Sequence, residues 1–217
     1  MAITFIVEGL LALFVLLKRA AKQPEQRLIV AILVLLAIFQ LAEYGVCEPL
    51  GFSPVAWARL GFVSITLLPA VGLHLIQKIR SDSVLVPTIL GYAAAAAFAI
   101  AFAGFESFIS VGCGGNYAIF QIKDGLGGMY FSYYYILLLV GIAMSIIFWA
   151  KDMSSERGKA AALMAIGYLS FVLPATYIHF VYENARNGLP SIMCGFALLF
   201  AVIIALAVSP LLDRSKD

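Results

Sequence analysis

Two oppositely charged residues, Glu43 and Arg59, flank the short link between two long apolar runs. Glu43 comes shortly before the end of the first run, and Arg59 comes shortly after the start of the second. If both runs cross a bilayer, the acid and the base lie about one helical turn below the same surface. Ionisable side chains at that depth are costly unless they are paired or used. We therefore expect Glu43 and Arg59 to face each other as a buried pair.

This expected pair has two interpretations. The commoner one is structural, because an ion pair inside a membrane fixes how its two helices pack. The other is functional: the pair lines an outward-facing pocket together with Glu8 and Glu183, which fall in the same half of the membrane. Such a pocket suits a cationic or polar ligand. The ligand-pocket candidates are thus Glu8, Glu43, Arg59 and Glu183.

The histidines, lysines, serines and glycines predict no catalytic, cofactor-binding or phosphate-binding site. His74 and His179 each lie about one turn, roughly 6 Å, from the end of their own run, and these ends belong to opposite membrane faces. A retinal Schiff base needs a lysine in the last run, and residues 189–208 contain none. No serine has a histidine at catalytic spacing, and the glycines of 112–128 lack the lysine-serine or lysine-threonine ending of a phosphate loop. We expect no cofactor, no metal and no enzymatic activity.

Three cysteines, Cys47, Cys113 and Cys194, all fall in the outer half. An odd count in an oxidising compartment permits one disulfide and one free thiol. Because Cys113 lies in a long loop, a bond from Cys113 to Cys47 or to Cys194 would attach that loop to a helix end. The sequence leaves both pairings open, beside a third interpretation in which the cysteines are ordinary small apolar residues.

The composition places these residues in a membrane protein. Of the 217 residues, 63% are hydrophobic and 12% charged, and the mean hydropathy is +1.01. Soluble domains are roughly 45–50% apolar and about 25% charged. The apolar runs are continuous rather than alternating, which favours helices over a barrel. No polar block is long enough for a second domain, so we predict one all-α membrane domain over residues 1–217.

Seven apolar spans are predicted, with a glycine-rich segment between the fourth and the fifth. In that segment, FISVGC and YAIFQIK flank a GGN turn, which is typical of a β-hairpin. A loop of this length usually covers a binding site. Pro69 and Pro174 are expected to kink the third and sixth helices. The predicted spans are 2–17, 28–47, 55–79, 84–105, 129–150, 160–183 and 189–208.

The basic residues predict the orientation. Eleven of the 14 lysines and arginines fall in the links 1–2, 3–4 and 5–6 and in the C-terminal tail, and the other three are Arg59, Lys123 and Arg186. Positively charged links stay in the cytoplasm, so the N-terminus is expected outside and the C-terminus inside the inner membrane. The bases at the inner face suit anionic lipid heads, and the net charge of +2 gives no sign of nucleic-acid binding.

Several segments carry a resemblance to known proteins. WARLGFVSITLLPAVGLHLI, GGMYFSYYYILLLVGIA and IIALAVSPLLD together resemble the seven-helix N-terminal sensor region of bacterial histidine kinases and diguanylate cyclases. In that family an aromatic residue and a base precede an apolar helix that is broken by one proline. FQLAEYG and PSIMCGF are similar to a family of uncharacterised bacterial seven-helix proteins. The sensors continue into an effector domain, whereas this sequence stops at Asp217.

The resemblance implies a membrane sensor or receptor. We expect a small ligand to enter from the outer side and the signal to pass to a separate protein partner, since an effector domain does not follow. The chain is then an excised sensor or a free-standing relative. The alternative is a non-catalytic accessory or scaffold subunit that packs in a larger membrane complex through its alanine and glycine faces.

Overall fold

The computed structural model describes residues 1–18, 23–48, 50–81, 86–114, 117–182 and 187–214 as a helical bundle with one small β-hairpin. A π-helical turn, Ile204–Val208, joins the last two helices. The helices are α1 (Ala2–Lys18), α2 (Pro24–Cys47), α3 (Pro54–Ile79), α4 (Val86–Gly104), α5 (Leu126–Lys151), α6 (Glu156–Val181), α7 (Leu189–Ile203) and α8 (Ser209–Arg214), and the strands are β1 (Phe108–Gly114) and β2 (Tyr117–Ile122).

Six helices in the described part of the chain are long and apolar enough to cross a membrane. They are α2, α3, α4, α5, α6 and the continuous helix Leu189–Arg214. Helix α1 has 17 residues, or about 26 Å at 1.5 Å per residue, slightly less than a hydrocarbon core of about 30 Å. The predicted helical class and the hairpin are confirmed, and the count of seven spans stays a prediction.

Local features explain why α5 and α6 begin earlier than their hydrophobic runs. Ser155 caps α6, because its Oγ accepts a hydrogen bond from the Gly158 backbone N–H at 2.9 Å, and the helix therefore starts at Glu156 instead of 160. Gly125, at φ +82°, lets the chain turn directly into α5, which starts at Leu126 instead of 129. Hydropathy alone misses both starts because polar and glycine residues form these first turns.

Helix α3 is the central element of the bundle and packs against α2, α4 and α5. Close approach of its neighbours depends on glycines. The place of a Cβ atom on Gly45 is already occupied by the Trp57 ring, so α2 and α3 touch backbone to side chain there. Pro69 and Pro174 lie inside α3 and α6, and both helices continue through them. The predicted kinks stay predictions.

The hairpin covers one end of the bundle, which we call the hairpin end. Its strands pair antiparallel, with Gly114 opposite Tyr117, and the predicted turn residues 115 and 116 lie outside the described residues. Alternate residues of β2 point into the bundle, so that Ala118 and Phe120 are buried. The Phe120 ring packs on Phe62 of α3 at 5.1 Å between centroids. The hairpin is therefore part of the core rather than a free loop.

A buried polar network closes the opposite end of the bundle, which we call the α8 end. Gln26 of α2 is fully buried, and its Nε2 donates to the Ser209 carbonyl at 3.0 Å and to Asp213 Oδ1 at 3.1 Å. The Ser209 hydroxyl donates back to Gln26 Oε1 at 2.7 Å. The amide thus joins α2 to α8 immediately after the π-helical turn.

Arg157 connects α6 to α3 and α2 at the α8 end. Its guanidinium donates to the Lys78 and Ile79 carbonyls at 3.3 and 3.0 Å, and it also contacts Ser81. The last carbonyls of a helix lack partners within the helix, so Arg157 satisfies the end of α3. The same side chain lies 3.8 Å from Glu25 of α2.

We expect Gln26→Leu to lower the free energy of unfolding by about 1–3 kcal/mol, because it leaves the Ser209 hydroxyl and Asp213 without their buried amide partner. The measurement is reversible unfolding in mixed detergent micelles. Lys151→Leu is the control, since Lys151 is exposed at the same end. Equal stabilities of the two variants would mean that the network adds nothing to the fold.

Candidate functional site

The hairpin end contains two fully buried acids, Glu8 of α1 and Glu43 of α2. Their exposed fractions are 0% and 1%, and their charges act on each other. In the described part of the chain, neither oxygen of Glu8 has a hydrogen-bond partner, and Glu43 Oε1 has none. A buried carboxyl oxygen without a partner is rare in a folded protein. Three of them at one place make this pair of acids the candidate site.

Ser191 of α7 connects Glu43 to the hairpin. The Ala118 backbone N–H of β2 donates to Ser191 Oγ at 3.2 Å, and the Ser191 side chain hydrogen-bonds to the Glu43 carboxyl group. A serine hydroxyl can accept one bond and donate another at the same time. The chain of contacts therefore runs from β2 through α7 to α2, and a change at Glu43 reaches the hairpin through one side chain.

Two more polar groups surround the acids. Gln40 precedes Glu43 by three residues, so both lie on one face of α2, and Gln40 is buried with no partner for Nε2 among the described residues. The thiol of Cys194, one turn after Ser191 in α7, is buried within electrostatic range of both acids. The amino group of Met1 also acts on both carboxyl groups. The site is thus built by α1, α2 and α7.

The predicted pair between Glu43 and Arg59 is wrong. The Arg59 guanidinium donates instead to the Ala103 and Phe105 carbonyls, both at 3.4 Å, and it makes no ion pair with Glu43. These carbonyls end α4, where the helix leaves them without internal partners, so a cation is favoured there. Arg59 therefore holds α4 against α3 and does not belong to the acidic site. Glu183, the remaining pocket candidate, lies outside the described residues.

The acidic site differs in chemistry from the predicted pocket. No lysine or arginine of the described residues is paired with Glu8 or Glu43, and the two carboxyl groups share the site with the Ser191 hydroxyl and the Gln40 amide. Carboxylate, hydroxyl and amide oxygens are ligands for hard cations and acceptors for ammonium groups. The described residues contain no group of three or more histidine, cysteine, aspartate or glutamate side chains that could hold a metal ion. The donor set fits a cation of low charge better than a transition metal.

A groove of about 230 Å³ lies between the start of α1 and the end of α2. Phe5 and Ile6 line it shortly before Glu8 in the sequence, and Leu41 and Tyr44 line it on either side of Glu43. Neither acid lines the groove itself. An apolar cavity of about 30 Å³ reaches Cys194, and that volume holds little more than one or two water molecules.

One disulfide bond forms among the three cysteines, and the two histidines lie in separate places. Cys47 and Cys113 form a disulfide that ties the end of α2 to β1, and Cys194 is a buried free thiol. Of the two pairings that the sequence left open, this is the one in the structure. His74 Nδ1 lies 3.1 Å from the Tyr92 hydroxyl of α4, so it bonds to a neighbouring helix. His179 lies in a groove between α5 and α6.

Sequence reasoning found Glu8 and Glu43 but missed Gln40 and Ser191. The spacing of three residues between Gln40 and Glu43 is a usable signal, because it places two polar side chains on the same face of an apolar helix. Ser191 gave no such signal, since serines commonly bond within their own membrane helix. Its role depends on the position of β2, which the sequence leaves open.

A double-mutant cycle tests the separation of Arg59 from Glu43. We expect Arg59→Ala and Glu43→Gln to change the free energy of unfolding additively, with a coupling energy below about 0.5 kcal/mol. The pair Glu25 and Arg157, which lies 3.8 Å apart, is the positive control and should couple by roughly 1 kcal/mol. A coupling energy for Arg59 and Glu43 as large as that of the control would contradict the placement of Arg59.

Comparison with known proteins gives no family model, no curated protein and no solved structure that matches the chain. These comparisons assign the chain to no family, and its resemblance to the sensor region of bacterial histidine kinases and diguanylate cyclases stays a prediction.

Proposed function

We propose that the protein is a seven-helix membrane receptor that binds a small cation, inorganic or ammonium-bearing, between Glu8 and Glu43. The observation that carries this proposal is the burial of two carboxyl groups with three oxygens unpartnered among the described residues. Two carboxylates repel each other when they are removed from water, and no lysine or arginine of the described residues is paired with them to offset this cost. A bound cation supplies the missing charge, so the site is complete only when it is occupied.

The arrangement in the membrane follows from the distribution of charge. Among the described residues, eight lysines and arginines lie in or beside the helix ends at the α8 end, against Arg59 and Lys123 at the hairpin end, which supports a cytoplasmic α8 end in the inner membrane. Helix α1, although short, places Glu8 beside Glu43 and so acts as the seventh span. The acidic site then lies in the outer half, below the hairpin, and a cation reaches it from outside through the groove beside Phe5 and Tyr44.

Helix α7 is the path by which binding passes through the membrane. Its outer end carries Ser191, which contacts both Glu43 and the hairpin. Its continuation at the α8 end carries Ser209, which bonds Gln26. The π-helical turn between these ends interrupts the regular hydrogen bonds, and such turns are frequent at functional sites. A cation that draws the Glu43 carboxyl group away from Ser191 shifts α7, and a cytoplasmic protein partner detects the shift at α8.

The test is cation binding to the purified protein in detergent at constant ionic strength. The probes are sodium, potassium, magnesium, calcium, methylammonium and choline chlorides. At a concentration of 100 times the dissociation constant, the bound cation should stabilise the fold by about 2.7 kcal/mol, seen as a rise in the melting temperature. Glu8→Gln and Glu43→Gln should each remove this rise. Glu106→Gln is the matched control, because Glu106 lies at the same end with its side chain 91% exposed.

The same variants distinguish a cation-binding role of Glu8 and Glu43 from a purely structural role. Without any added cation, Glu8→Gln should raise the free energy of unfolding by about 1–3 kcal/mol, because it removes one of two like charges that are buried together. A structural role predicts the opposite sign. A cation-induced rise that persists in Glu8→Gln, or no rise with any probe in the folded wild-type protein, would exclude the proposed function.

The second candidate function is an accessory subunit of a membrane complex. It is favoured by α4, which exposes the small residues Ala93, Ala96 and Ala97 on one part of its surface. Small residues let two membrane helices approach closely. A partner that remains stoichiometric through purification in mild detergent, and is lost on Ala96→Leu, would favour this function over the receptor.

A further inference from the structure

A groove between α5 and α6 adjoins a recess that lies between β2, the start of α5 and Asn187, both at the hairpin end. The groove has a volume of about 570 Å³, and the recess above it has about 190 Å³. Both are lined by Gly128 and Phe131, which lie where the two spaces meet. The groove alone falls within the usual range of ligand pockets, about 300–1,000 Å³.

The lining of this site changes from charged to apolar along the helix axis. The recess is lined by Lys123, Asp124 and Asn187. Below it, the groove is lined first by Ser132 and His179. A membrane lipid shows the same order, from a charged head through a polar glycerol region to an acyl chain.

The deepest part of the groove is apolar. Leu139 lies 13 residues into α5, or about 20 Å from the start of the helix. It faces Val172 across the groove, below the level at which Tyr135 hydrogen-bonds to Thr176. An acyl chain that enters from the hairpin end therefore passes two polar side chains before it reaches the apolar floor.

The charges of the recess favour one class of head group. The Lys123 ammonium lies 3.7 Å from Glu106, but both side chains are half exposed or more, so the contact is weak. Lys123 is thus able to bind a phosphate, and the adjacent Asp124 is able to bind an ammonium group. A zwitterionic head matches both, whereas an anionic head meets Asp124 and Glu106 unfavourably.

Glycines keep the site open. The backbone at position 125 has φ +82°, a conformation that favours glycine. A Cβ atom on Gly128 would meet no atom within 4 Å. A side chain at position 128 would therefore extend into the passage between the recess and the groove. The glycines that suggested turn chemistry thus also leave room for a ligand.

We propose that the site between α5 and α6 binds one zwitterionic phospholipid with an ammonium head group, its phosphate on Lys123, its ammonium on Asp124 and one acyl chain along Leu139. This inference depends on the placement in a membrane but not on the cation site. Glu8→Gln and Glu43→Gln change no residue that lines this groove or recess, so the two proposals can fail separately.

The test uses the whole protein, delipidated in detergent and titrated in native mass spectrometry with dioleoyl phosphatidylethanolamine or dioleoyl phosphatidylglycerol. We expect one phosphatidylethanolamine to bind in preference to phosphatidylglycerol. Gly128→Leu should weaken its binding about tenfold or more, because the new side chain fills the passage. Gly195→Leu is the matched control, since a Cβ atom on Gly195 also meets nothing within 4 Å, in α7.

A second pair of variants keeps the test independent of folding effects at the start of α5. Leu139→Trp should weaken lipid binding, and Ile136→Trp should not, although the two residues are similarly exposed on the same helix at 56% and 59%. Asp124→Asn should reduce the preference for phosphatidylethanolamine. Equal binding of the two lipids to the wild-type protein, or equal binding by each variant and its control, would overturn the inference.

Discussion

The burial of Glu8 and Glu43 beside each other is the constraint on which the hairpin end depends. Both side chains lie within apolar helices, and the described residues place no paired lysine or arginine beside them. An ion pair would have satisfied the charge inside the fold and closed the site. Without one, the two acids share the hairpin end with the polar side chains of Ser191 and Gln40.

The rest of the structure keeps that site in place and couples it to the other end. The disulfide Cys47–Cys113 holds β1 at the end of α2, and the Ala118 amide holds β2 against α7. At the α8 end, Gln26 and Arg157 join α2, α3, α6 and α8 through bonds that satisfy helix termini. Helix α2 belongs to both ends, with Glu43 at one and Gln26 at the other, and so does the helix that begins as α7 with Ser191 and continues to Ser209.

Polar side chains in this bundle have two distinct roles. Arg59 and Arg157 bind the carbonyls at the ends of α4 and α3, where an arginine replaces the partners that the helix lacks. Glu8 and Glu43 satisfy no helix end. Of the two charged residues beside the link between α2 and α3, Arg59 therefore satisfies a helix end and Glu43 does not.

The sequence by itself determined the helical class, the approximate positions of six long apolar helices, the hairpin, and the location of Glu8 and Glu43 within apolar runs, because hydropathy and turn residues act locally along the chain. It also placed Cys113 in a loop and limited its partners to two. Only the tertiary structure decided which of them it meets, and that Arg59 turns to α4 instead of Glu43. The physical reason is that hydropathy fixes the depth of a residue in a helix but not the direction of its side chain. That direction depends on how each helix is rotated about its axis, which is set by packing such as Trp57 against Gly45 and Phe120 against Phe62.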